Sequence, residues 1–81
     1  MKKNILKEHV LSGEHVCEKR QKQGMPQEEL AEKTGMSRTQ IGRIERGEAK
    51  NSRIDTVKKI ANALQVNIEE LLCEEDEKEQ E

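Results

Sequence analysis

The chain has 81 residues, of which 40% are charged, 31% are apolar and none is Phe, Tyr or Trp. A chain this short holds one small domain, which excludes a large enzyme. Its core must be built from Leu, Ile, Val, Met and Ala, and this composition favours a compact helical bundle. The lack of aromatic residues also excludes modules that stack single-stranded bases on aromatic platforms, so any nucleic-acid partner is expected to be a duplex.

The net charge of −2 conceals an asymmetry along the chain. Residues 74–81 hold six acidic residues and one lysine, whereas residues 1–73 carry a net charge of +3. Within residues 38–59 the excess of basic residues rises to +4. Such a patch suits a polyanionic partner, but it also fits a solvated helical surface with many ion pairs, so charge alone leaves the function open.

No segment is apolar enough to cross a membrane, because the longest unbroken apolar run has three residues and a span needs about 20. The basic start of the chain does not continue as a signal peptide, since Lys7 and Glu8 interrupt the apolar stretch and no small-residue cleavage site follows. We therefore expect a cytoplasmic protein. Its two cysteines, Cys17 and Cys73, are interpreted as reduced thiols.

Caps, glycines and apolar spacing divide the chain into short helices. We expect helices over residues 14–23, 27–34, 37–46 and 54–64, and a short fifth helix that contains Ile68, Leu71 and Leu72. Ser12 is a candidate N-cap for the first helix, and Ser37 forms a Ser-x-x-Gln capping box with Gln40 at the start of the third. The buried stripe of the fourth helix is predicted to contain Ile54, Val57, Ala61 and Leu64.

Two terminal segments are expected to flank a single domain over residues 12–73. Residues 1–11 form an N-terminal arm or an extra helical turn. Residues 74–81 form an acidic disordered tail, because eight consecutive polar residues cannot bury apolar area. No alternation of apolar and polar residues is long enough to predict a strand. The predicted fold class is therefore all-α, a compact five-helix bundle.

The second and third helices are joined by Gly35 and Met36, which is the layout of a helix-turn-helix. Ala31 is small where two helices cross closely, and Gly35 follows four residues later, where the chain turns sharply and positive φ is favoured. Ile41 and Ile44 lie three residues apart, where the third helix packs back on the second. Each of these structural positions therefore has a steric reason for its residue type.

Two segments resemble a known family: QEELAEKTGMS at residues 27–37 and IGRIERG at residues 41–47. They are similar to the second and third helices of the phage-repressor-like helix-turn-helix proteins, the XRE family of bacterial and phage regulators. Residues 13–25 and 54–64 are similar to the first and fourth helices of that family, so the resemblance covers residues 12–73. It implies a lambda-repressor-like DNA-binding domain.

Two positions depart from the family pattern. Pro26 stands where the family commonly has a Ser or Thr N-cap, and the missing hydroxyl is expected to cost about 1 kcal/mol of helix stability. Ser52 and Arg53 stand where a proline often precedes the fourth helix, so we expect the preceding loop to be more mobile here.

The resemblance implies that the third helix enters the major groove of duplex DNA with its N-terminal residues toward the base edges. The base-contacting positions that it implies are Arg38, Thr39 and Arg43. Arginine can pair with both N7 and O6 of guanine, and threonine can bond to a base or touch a thymine methyl, so these residue types can read sequence. The expected phosphate contacts are Gln27, Gln40, Arg46, Lys50 and Arg53. Gln40 is alternatively a cap partner only, and the cations are alternatively solvated surface.

The leading hypothesis is a sequence-specific transcriptional regulator, a repressor or autoregulator, that binds a two-fold operator as a homodimer. Ile68, Leu71 and Leu72 form the dimer interface or complete the core of the monomer. The alternative is a protein-binding helix-turn-helix module, such as an antitoxin or a controller component. The acidic tail fits both hypotheses, because it could screen DNA binding or contact a basic partner.

Catalysis, a cofactor, a metal ion and a small-molecule ligand are not expected. The chain has no Gly-rich phosphate loop and too little volume for a catalytic pocket. His9, His15 and Cys17 lack a fourth ligand nearby, and His15 and Cys17 do not converge along a helix face. No sensor domain accompanies the helices, so control is expected through the protein level or through a partner.

Overall fold

The computed structural model describes residues 7–49 and 52–76 of the chain. Its elements in chain order are β1 (Lys7–Leu11), α1 (Gly13–Lys22), α2 (Gln27–Thr34), α3 (Arg38–Glu45), α4 (Ile54–Leu64), a 3₁₀ helix (Ile68–Leu71) and β2 (Leu72–Asp76). The predicted helical domain with a helix-turn-helix is therefore confirmed. No helix in the described ranges is long and apolar enough to cross a membrane.

The predicted all-α bundle of five helices is confirmed only in part, because the structure differs from it in two respects. The fifth helix is a single 3₁₀ turn, in which the Asn67 N–H donates to the Glu70 carboxylate at 3.2 Å. Such short turns are typical connectors, and here the chain leaves the turn directly into a strand. The second difference is a two-stranded antiparallel sheet, in which Leu11 lies opposite Leu72 and Lys7 lies opposite Asp76.

This sheet also corrects the predicted terminal segments. Residues 7–11, predicted as an arm or an extra helical turn, form a strand. Residues 74–76, predicted as part of a disordered tail, belong to β2. The physical reason is that the two strands, about 60 residues apart in sequence, form backbone hydrogen bonds with each other. At the base of the pair, the Ser12 N–H donates to the Leu71 carbonyl at 2.8 Å. Residues 1–6 and 77–81 lie outside the described ranges.

The core lies among the four α-helices and the 3₁₀ helix. Its fully buried side chains are Val16, Leu30, Ile41, Ile60, Leu64 and Leu71. The prediction that Ile54 belongs to the buried stripe of α4 is wrong, because Ile54 is 56% exposed. The buried residues of α4 begin one turn later, at Val57, so its first turn projects from the core into solvent.

Two polar contacts fasten the end of α1 to the C-terminal half of the domain. The Gln23 amide donates to the Leu64 carbonyl at 2.7 Å, which satisfies an open carbonyl at the end of α4. The Lys19 ammonium pairs with Glu70 at 3.2 Å. Cys17 and Cys73 are both free thiols.

Candidate nucleic-acid interface

The turn between α2 and α3 fixes the start of α3. Gly35 has φ 75° and ψ 15°, a left-handed conformation that its lack of a Cβ permits, as the sequence predicted. The Ser37 hydroxyl accepts from the Gln40 N–H at 3.1 Å, and the Gln40 side-chain oxygen accepts from the Ser37 N–H at 3.0 Å. The predicted capping box is therefore confirmed, whereas Pro26 makes no side-chain cap for α2, as expected.

The end of α3 is fixed by a bidentate ion pair that sequence analysis missed. The Arg20 guanidinium donates to Glu45 through Nε at 2.6 Å and through Nη2 at 3.0 Å, and its Nη1 donates to the Met25 carbonyl at 2.7 Å. The two side chains are only 11% and 7% exposed. One arginine thus joins α1, the turn that precedes α2, and α3. The available signal was that Arg20 follows Val16 by four residues and so shares its buried face.

Electrostatics favour the charged forms of this pair. Burial alone raises the pKa of the Glu45 carboxyl, but the hydrogen bonds from Arg20 and Gln27 and the charge of Arg20 outweigh burial, so the net pKa lies below its ordinary value. The hydrogen bond to Glu45 raises the pKa of Arg20 in turn. The pair therefore stays ionised at neutral pH and holds its geometry.

Helix α3 has one buried face and one exposed face. Ile41, Gly42 and Ile44 are buried against the domain, as predicted for the two isoleucines. The side chains predicted to contact DNA from α3 are exposed: Arg38, Thr39, Gln40 and Arg43. A shallow open groove beside this face is lined by Gln27, Arg38, Thr39, Gly42 and Arg46. The fold thus brings the starts of α2 and α3 together with the end of α3.

The side chains predicted to contact phosphate occupy different environments. Gln27 is half-buried and donates to Glu45 at 2.9 Å, so the Arg20–Glu45 pair also holds the first residue of α2. Arg46 is exposed and pairs with Glu48 at 3.1 Å. Arg53 is exposed at the N-cap of α4, and Lys50 lies outside the described ranges.

The three residues proposed for a dimer interface do not form one surface. Leu71 is fully buried, so it completes the core of the monomer, which is one of the two roles predicted for it. Ile68 and Leu72 are partly buried and pack on the edge of that core. Ile68 also lines an open groove between α4 and the 3₁₀ helix, which carries Lys58 on one side and Glu69 on the other.

No group of three or more potential metal-ligating His, Cys, Asp or Glu side chains occurs among the residues that the structure describes. His15 and Cys17 lie instead on α1, where they line a shallow open depression with Glu14 and Glu18. The Cys17 sulfur contacts the Arg20 Nη2 at 3.7 Å.

Known proteins share this architecture. The chain is similar to the restriction-modification controller protein C.AhdI from Aeromonas hydrophila, with 36% identity and a TM-score of 0.68 over 73% of this chain and 88% of that chain. It is also similar to SinR, the master regulator for biofilm formation, from Bacillus subtilis. SinR in complex with DNA matches at 30% identity and a TM-score of 0.69 over 73% of this chain and 94% of that chain. A structure of SinR with SinI matches at 30% identity and a TM-score of 0.68, over 73% of this chain and 57% of that chain.

No curated protein sequence matches the chain. A helix-turn-helix family model, HTH_3, matches residues 18–71, which include α2, α3, α4 and the 3₁₀ helix but neither strand. The match covers well over half of the chain, and the structural relatives share the same domain. The chain therefore belongs to the HTH_3 helix-turn-helix family, in agreement with the resemblance to phage repressors found in its sequence.

Proposed function

We propose that this protein is a sequence-specific, non-enzymatic DNA-binding regulator of transcription that acts in the cytoplasm as a repressor or autoregulator. The observation that carries the proposal is the two-sided character of α3, whose isoleucines are buried while Arg38, Thr39 and Arg43 are exposed on a helix fixed at both ends. A rigid helix of this kind can enter the major groove and present its side chains to base edges. The relation to SinR, which was solved with DNA, supports this function.

The side chains proposed to contact DNA fall into two groups, those that contact base edges and those that contact phosphates. Arg38, Thr39 and Arg43 contact bases, because their types can recognise guanine or thymine and their side chains are exposed. The proposed phosphate contacts are Gln27, Gln40, Arg46, Lys50 and Arg53. Gln27 contacts a DNA phosphate at the start of α2, where the open N–H groups and the helix dipole favour an anion. Gln40 retains its amide N–H₂ for this contact, since its oxygen is engaged in the capping box.

Arg43→Ala tests the base-reading role. We expect a loss of about 10- to 100-fold in affinity for the duplex that the wild-type protein selects from a random library, called here the selected duplex, because one bidentate arginine contributes about 1–3 kcal/mol of discrimination. Affinity for a scrambled duplex of equal composition should change little by comparison. Fluorescence anisotropy measures both affinities.

Arg53→Ala is the matched control, since it also removes one exposed arginine. If Arg53 contacts a phosphate, its loss should weaken binding to both duplexes by a similar factor and lower the salt slope by about 1. If Arg43→Ala behaves like Arg53→Ala, the assignment of Arg43 to a base edge is wrong.

We further propose that the regulator is a homodimer on a two-fold operator. With Leu71 buried in the core, the partner surface centres on Ile68 and the groove between α4 and the 3₁₀ helix. A two-fold axis through this groove would allow the Lys58 of one copy to meet the Glu69 of the other, which is the self-complementarity that an isologous interface needs.

Ile68→Asp tests this interface. We expect the variant to sediment as a monomer at concentrations where the wild type is a dimer, because the apolar centre of the proposed interface is replaced by a charge that must lose its hydration on burial. Analytical ultracentrifugation gives the mass, and circular dichroism verifies that the variant remains helical. A folded variant that stays dimeric would place the interface elsewhere.

A second candidate function is a protein-binding module, such as a controller or antitoxin component. The similarity to the controller protein C.AhdI and to SinR solved with SinI favours it. It becomes the better description if the folded protein binds no duplex at low salt.

A further inference from the structure

An ion pair crosses the helix-turn-helix at the end where α2 and α3 begin. Glu28, the second residue of α2, lies 4.0 Å through its Oε2 from Nη1 of Arg38, the first residue of α3. Both side chains are well exposed, at 75% for Glu28 and 65% for Arg38. The contact therefore adds little to the stability of the fold, and its location on the open face of the domain suggests another role.

We propose that Glu28 is a specificity-determining positioning residue, which acts through Arg38 to increase the discrimination between the operator and other DNA. This inference rests on the proposed function, because it assigns a role to a residue beside the proposed base-reading helix.

The geometry of the guanidinium leaves Arg38 able to bind a base while it contacts Glu28. Glu28 approaches Arg38 at Nη1, and Arg38 lines the open groove beside α3, so the other N–H donors of its planar fork remain available to a base. A free arginine side chain loses much rotamer freedom when it binds a base. A carboxylate that restrains Arg38 beforehand reduces this loss for the oriented, bidentate contact with guanine, which needs one geometry.

The charge of Glu28 also affects which acceptors Arg38 can reach. Glu28 follows Gln27 directly, so its charge lies beside the proposed phosphate site at the start of α2. A carboxylate at this location competes with phosphate oxygens for Arg38. Non-specific binding, which relies only on contacts to the DNA phosphates, is therefore penalised. A guanine in the operator instead offers Arg38 acceptors that lie away from the phosphates. Both effects raise the ratio of operator affinity to non-specific affinity.

The test compares Glu28→Gln with Glu29→Gln, a neighbour on the same helix. Glu29 is also exposed, and it pairs with no cation in the part of the chain that the structure describes. Both substitutions change the net charge equally, so a general charge effect cancels. Anisotropy on the selected and scrambled duplexes gives the affinity ratio for each variant.

We expect Glu28→Gln to lower the affinity ratio by about threefold, the scale of an exposed ion pair, and Glu29→Gln to leave the ratio unchanged. In an Arg38→Ala background, Glu28→Gln should no longer change the ratio, because the pair is absent. Equal ratios for the two glutamine variants, or an effect that persists without Arg38, would overturn the inference while leaving the proposed function intact. A wild-type protein that selects no sequence would overturn both.

Discussion

Replacing Gly13 with alanine is expected to destabilise the fold by about 3 kcal/mol, because the new methyl group has no space. A Cβ at this position would overlap the Ile44 carbonyl oxygen and lie 2.7 Å from that of Glu45. Both atoms belong to the backbone at the end of α3, so no side-chain rotation can relieve the contact. Helix α1 would have to move away from α3, and the buried Arg20–Glu45 pair would move with it.

Urea unfolding followed by circular dichroism measures this effect, and Gly42→Ala is its matched control. Gly42 is also a buried helical glycine, but a Cβ there meets only the Arg46 Nη1 at 3.3 Å, which is the movable end of an exposed side chain. Alanine is the better helix former by about 1 kcal/mol, so this variant should match or exceed the wild type in stability. A Gly13→Ala protein with the wild-type urea midpoint would show that α1 and α3 do not approach this closely.

Glu45→Ala is expected to cost about 3 kcal/mol of unfolding free energy, because it leaves the buried Arg20 guanidinium with the Met25 carbonyl as its remaining strong acceptor. Replacing both partners with apolar residues of similar size, as in Arg20→Met with Glu45→Leu, should cost less than the single change, since no uncompensated charge is left. The urea midpoints of the wild type, Glu45→Ala and the double variant measure these differences in stability. A double variant less stable than Glu45→Ala would contradict the account.

The same ion pair predicts a loss of stability in acid. The pKa of Glu45 is lower in the folded chain than its ordinary value of 4.5, so the folded state binds this proton less readily than the unfolded state. The contribution to stability is therefore fully present above the ordinary pKa and is lost as pH falls through the folded value. The wild type should lose more stability than the Arg20→Met, Glu45→Leu variant between pH 5 and the acid transition, measured by urea unfolding along a pH series.

Local sequence signals predicted the elements that local chemistry determines. Ser37 and Gln40 predicted a capping box from their spacing alone, and Gly35 predicted a left-handed turn, because each motif closes within four residues. The exposure of Arg38 and Arg43 followed from the buried isoleucines of the same helix.

The features that were missed depend on contacts distant in sequence. Strands β1 and β2 were missed because neither has a recognisable alternation and each finds its partner at the opposite end of the chain. The Arg20–Glu45 pair joins residues 25 apart, and helical spacing could identify only the buried face on which Arg20 lies. Ile54 fitted the apolar period of α4 perfectly, but periodicity does not indicate where the neighbouring helices end.

The measurement that tests the central proposal most directly is fluorescence anisotropy of the wild-type protein on the selected and scrambled duplexes across a salt series. We expect an affinity ratio of at least about 10³ at physiological salt, with binding to both duplexes weakening as salt rises. Equal affinity for the two duplexes at every salt concentration would contradict sequence-specific recognition by α3.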